Sequence, residues 1–180
     1  MGFRFGLIAA DTPASALAGA LVSHLGLELL ASSDTDSVDL PGKLDPGCFI
    51  CTANGDRAAI ALPYQLLQQC DLDLAALSQA VEGELVGVGV EDTVGEIWYQ
   101  RFDGGDLIAE YYHGDGIVVR SVGDHPRKDP IDWEDEDLFG LLPEWLHLDS
   151  SGALALAGVR YDYRERTPEP EPAGPWWKFW

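Results

Sequence analysis

Cys48-Phe-Ile-Cys51 has the CxxC spacing that, at a turn or helix start, makes a redox pair or half of a zinc site. Here the segment reads as a strand, which sends positions i and i+3 to opposite faces. Cys70 stands alone and no histidine pair has ligand spacing. The three cysteines are therefore expected to be buried, inert thiols, and no metal or cofactor is expected. Asp71-x-Asp73 has the look of a metal-binding DxD, but the same residues serve as helix caps. His24, His113, His125 and His147 are scattered. His113 is the most suggestive, because it precedes Gly114-Asp115-Gly116, where an imidazole and a carboxylate can sit together as a base and its orienter. A polar cap on a hairpin is the simpler alternative. No nucleophile elbow, HExxH, phosphate loop or dinucleotide fingerprint appears. Paired carboxylates would permit glycosidase chemistry, and nothing specific supports it.

Recognition has stronger candidates than catalysis. Asp129, Asp132, Glu134, Asp135, Glu136 and Asp137 place six acids in nine positions, with Trp133 among them and Phe139 and Trp145 close by. Interface anchors are often aromatic, and a charged surround speeds encounter with an opposite charge. Tyr99, Tyr111 and Tyr112 are further expected anchors; the alternative is a solvated helix start whose tryptophans face the core. The chain closes on PEPEPAGPWWKFW, where prolines 168, 170, 172 and 175 favour an extended, semi-rigid stalk. Its tip, Trp176, Trp177, Phe179 and Trp180, is too apolar to stay exposed. It either folds back onto its own domain, the favoured reading, or docks into another chain.

The elements that must carry these residues follow from periodicity. Phe3 to Ile8 alternates as a strand, and a helix follows from Pro13 to about Leu30, with Asp11 or Thr12 as its cap. Residues 31–47 read as a long surface loop. CFICTA and RAAIAL flank Asn54-Gly55 as a hairpin. Residues 63–80 carry Leu66, Leu67, Cys70, Leu74 and Leu77 at helical spacing, broken near Asp71. ELVGVGVED, GEIWYQRFD, DLIAEYYHGDG and IVVRSV, separated by glycine turns, form an antiparallel meander. A short helix entered at Asp132 and disturbed at Pro143 follows, then a last strand from Ala153 to about Arg164. The expected fold is α+β, a mostly antiparallel sheet with helices packed on one face. One domain over 1–166 is followed by the tail, 167–180.

Composition bounds the partner. The chain has 180 residues, 46% of them apolar, enough for one real core. It carries 31 acidic against 11 basic residues, a net charge of -20. Such a surface repels phosphate backbones and anionic lipids, so neither nucleic acid nor membrane is expected as a partner, and a basic protein is the natural complement. Solubility or a salty cytoplasm would explain the charge without a partner. No apolar run reaches the roughly 18 residues that span a bilayer, so the protein is expected in the cytoplasm. In class it resembles the bacterial immunity proteins, small acidic inhibitors that neutralise toxin enzymes by covering their active sites. The resemblance is of composition and architecture, with no motif, and no residue is carried over from it. An enzyme or small-ligand binder with a pocket near His113 and Asp115 is the alternative.

Overall fold

Alternation in the first strand decides the layering. In β1 (Arg4–Ala10), Phe5, Leu7 and Ala9 enter one apolar cluster and Ile8 and Ala10 a second, and all but Arg4 are buried. Side chains alternate across a strand, so both faces of this one must be covered. A computed structural model of the protein describes residues 4–35, 44, 46–63, 66, 72–127, 129–130, 138–148 and 158–166. Among the described residues, eight further strands join β1: β2 (Leu27–Thr35), β3 (Cys48–Asn54), β4 (Arg57–Pro63), β5 (Glu84–Glu91), β6 (Glu96–Asp103), β7 (Asp106–Gly114), β8 (Ile117–Val122) and β9 (Gly158–Glu165). They form one sheet in the order β2-β9-β3-β4-β1-β5-β6-β7-β8, antiparallel at every pairing. The expected meander is its second half.

Among the described residues, three helices with described bounds supply the cover: α1 (Ala14–His24), α2 (Leu74–Val81) and α3 (Leu138–Trp145). Leu17 and Leu21 of α1 and Leu74 and Leu77 of α2 pack with Ile8, Ile60 and Leu85 on one face. Leu142 and Trp145 of α3, with Leu146 behind it, pack with Leu7, Val86, Val88 and Tyr99 on the other. The expectation of helices on one face is thus not confirmed: α3 packs on the Phe5-Leu7-Ala9 face, which is as apolar as its reverse and needs its own layer. The VGVGV run of β5 serves both faces. Val86, Val88 and Val90 fill the α3 side. On the other side, a Cβ at Gly87 would run into Leu74 and one at Gly89 into the Trp98 indole.

Several boundaries differ from the sequence reading. The first helix stops at His24 rather than Leu30, because Gly26 takes the left-handed φ of 61° that closes a helix, and β2 follows where helix and then loop were expected. Residues 36–43 of that loop lie outside the described residues. Asn54 pairs with Arg57, so Gly55-Asp56, one position later than expected, makes the hairpin turn. Asp73 caps α2 by accepting from the Ala76 amide at 3.0 Å; Asp71 lies outside the described residues. α3 continues through Pro143 to Trp145. The last strand is described from Gly158, and residues 151–157 and the tail, 167–180, lie outside the described residues. Among the described residues no helix is long and apolar enough to cross a membrane.

Candidate functional site

The structure redistributes the expected anchors. Trp145 sits edge-on to both Tyr99 and Tyr111, with ring centroids 6.0 Å apart in each pair. All three are buried, which corrects their reading as surface anchors. Aromatic pairs of this geometry add to core burial, and that is what these rings do. Tyr112, on the opposite face, is half-buried, and partial burial and its hydrogen bond to Glu96 hold its phenol above the ordinary range. Asp132, Trp133, Glu134, Asp135, Glu136 and Asp137 lie outside the described residues, as do Trp176, Trp177, Phe179 and Trp180. His113 is wholly buried beside the Gly95 backbone, and desolvation lowers its pKa. Asp115 is exposed on the hairpin turn at φ 53°. The imidazole is thus buried and the carboxylate exposed. Cys48 and Cys51 are buried thiols, and burial pushes the Cys51 thiol up to about 12 while its Sγ lies 3.2 Å from the Ala14 carbonyl oxygen. Among the described residues no cluster of three or more metal-ligating side chains forms.

Two other regions stand out. The first is the β8 edge of the sheet, the last strand in the order. Among the described residues, eight large apolar side chains are exposed, and five of them are on β7 and β8: Leu107, Ile108, Ile117, Val119 and Val122. Ile117 is 61% and Val119 56% exposed, so among the described residues this end of the sheet carries most of the apolar exposure. Register places Leu107, Ile117 and Val122 on the face of Trp98 and Tyr112. Across that shelf runs a polar line in which Gln100 Nε2 donates to Glu110 Oε1 at 2.9 Å and Glu110 pairs with Arg120. The far edge, β2, exposes Leu29 and Leu30 and is otherwise small and polar.

The second region is a polar cleft of about 240 Å³ on the α3 face. β6 contributes Tyr99 and Arg101, the segment after β8 contributes Asp124, His125 and Pro126, and the end of α3 contributes Glu144 and His147. His147 closes α3: its amide bonds to the Glu144 carbonyl and the Leu148 amide to that of Pro143, the double bond pattern that usually places glycine at this position. Here an imidazole takes the left-handed φ of 54°, and its Nδ1 lies 3.0 Å from Glu84 Oε1. That oxygen also accepts from Arg57 Nη2 at 3.1 Å. Arg57 in turn pairs with Asp11 and donates from Nε to the Leu146 carbonyl at 2.9 Å, pinning the end of α3 to the sheet. A carboxylate-oriented imidazole beside a guanidinium can bind an anionic group and hold or accept a proton.

Sequence reasoning passed over this cleft because its residues come from three distant segments. One signal was legible: in EIWYQRFD the alternation puts Arg101 on the face of Ile97 and Tyr99, a charge on an apolar face. Compared with known proteins, the chain matches no family model, no curated protein and no solved structure.

Proposed function

We propose that this chain is an acidic binding protein that acts in the cytoplasm and inhibits a basic protein partner by occlusion, in the class of bacterial toxin-immunity proteins. The observation that carries the reading is the concentration of exposed apolar side chains on the β8 edge of an otherwise strongly acidic molecule. An edge strand offers unpaired backbone groups to a partner's extended segment, and its apolar side chains supply anchors. Exposed Asp103, Asp106, Asp115 and Asp124 flank this end of the sheet. Charge of one sign around an apolar patch steers an oppositely charged partner while the patch holds it. The Asp132 to Asp137 run with Trp133 is assigned to steering, and Tyr112 to anchoring, in the same reading. The aromatic tip of the tail is assigned to folding back onto its own domain, with docking into another chain as the alternative.

The test is capture of the tagged, full chain from its native cell at low and at high salt, followed by assay of what is captured. A stoichiometric basic protein, released at high salt and inhibited when recombined one to one, is the expected result. No partner, or one whose activity is untouched by the complex, contradicts the reading.

A further inference from the structure

We propose that the cleft between β6, the segment after β8 and the end of α3 binds a small zwitterion, an α-amino acid, with its carboxylate at Arg101, Tyr99 and His125 and its ammonium toward Asp124 and Glu144. The inference stands apart from the docking of a partner protein, since it concerns the α3 face and is read on the isolated chain.

It rests on a surplus of donors. Tyr99 is 0% exposed, and its hydroxyl lies beside the Arg101 guanidinium with no acceptor for its own O–H among the described residues. Arg101 Nε is buried and donates no hydrogen bond to a described residue, its loose ion-pair partner being Glu84 Oε2 at 3.9 Å. Glu84 is already committed through Oε1 to Arg57 and His147. Glu84 thus serves three cationic or donor side chains, Arg57, His147 and Arg101, with Asp11 a second partner for Arg57. His125 is buried too: its Nε2 pairs with Ser121 Oγ at 2.7 Å, its ring lies against Tyr111, and its Nδ1 has no partner among the described residues. With the Ser121 hydroxyl donating to Nε2, Nδ1 carries the proton and all three groups are donors. Buried polar groups are nearly always matched, so three such donors at one cleft call for an acceptor from outside. A planar carboxylate matches a guanidinium fork, accepting two parallel N–H bonds.

A simple anion is disfavoured there, because Asp124 and Glu144 line the same cleft of a chain with net charge -20. An ammonium on the same ligand turns those two acids from repulsive to attractive. The volume, about 240 Å³, falls below the roughly 300–1,000 Å³ of pockets that take drug-sized ligands and suits a free amino acid.

The experiment is calorimetric titration and thermal melting of the full chain with each of glycine, L-alanine, L-glutamate and L-lysine. Acetate, methylammonium and inorganic phosphate are the comparison probes. At least one amino acid should bind saturably and raise Tm, and none of the comparison probes should do so at equal concentration. Tyr99→Phe removes one hydroxyl with no change of shape. It should weaken that binding at least tenfold, and it should raise the Tm of the free protein, because an unmatched buried donor is gone. Arg101→Gln should abolish binding, with Arg101→Lys retaining part of it. No shift with any amino acid, tighter binding of phosphate, or unchanged affinity in Tyr99→Phe would each overturn the proposal.

Discussion

Arg57 Nη2 meets Glu84 Oε1 at 3.1 Å across the strand ends of β4 and β5, from a guanidinium that is only 9% exposed. Arg57 also holds Asp11 and the Leu146 carbonyl, so one side chain joins three segments on the α3 face. Removing one partner of a buried pair costs roughly 3–5 kcal/mol, and the partial exposure of Glu84 places this pair near the lower end. Arg57→Ala is expected to destabilise by about 3 kcal/mol in urea unfolding. Asp11, 59% exposed, is a rim partner, and Asp11→Asn is expected to cost about 0–1 kcal/mol. Equal effects of the two substitutions would show that the hierarchy of burial is misread.

His113 gives the acid limb of stability. It is buried and its pKa is depressed by desolvation, so the folded state binds its proton less readily than the unfolded chain does near 6.5. Stability from this group is complete above that value and is lost as pH falls through it toward the lower folded value. Denaturation midpoints at pH about 7.5 and about 5.5 should therefore differ less in His113→Phe than in the native chain. An identical pH slope in both would exclude His113 as the source.

Cys51 gives an alkaline limb. Cys51 is raised from 9.0 to about 12 by burial, so its contribution is present below the unfolded value and lost as pH rises from about 9 toward about 12. In a Cys70→Ser background, Cys48 and Cys51 should resist a thiol reagent at neutral pH and both react on unfolding. Rapid labelling of the folded protein would revive a redox role for the CxxC pair.

Much of this fold was written in local pattern. The β5 to β8 meander follows from alternation and glycine turns, and opposite facing of Cys48 and Cys51 follows from strand geometry. The first helix was read too long because Leu25, Leu27 and Leu29 continue an apolar pattern that suits helix and strand alike. The positive φ of Gly26 decides between them, and spacing alone carries no φ. The second layer was missed for a related reason: apolarity of β1 on both faces was visible, but which helix covers which face is a tertiary choice. Tyr99, Tyr111 and Trp145 looked like anchors because aromatics mark interfaces and cores equally, and only their mutual packing shows the core. His125 and His147 are distant in sequence and meet only because β8 and α3 end at the same side of β6.

The central claim is that the β8 edge, and not the surface in general, receives the partner. The most direct measurement is the Kd of the captured partner for the paired variants Ile117→Ser with Val119→Ser on β8, and Leu29→Ser with Leu30→Ser on β2. Both pairs are exposed, so folding stability should stay within about 0.5 kcal/mol per substitution. The β8 pair should weaken binding at least tenfold, chiefly through faster dissociation, and the β2 pair should leave it unchanged. Equal affinity for the β8 pair and the native chain, or an equal loss at β2, would contradict it.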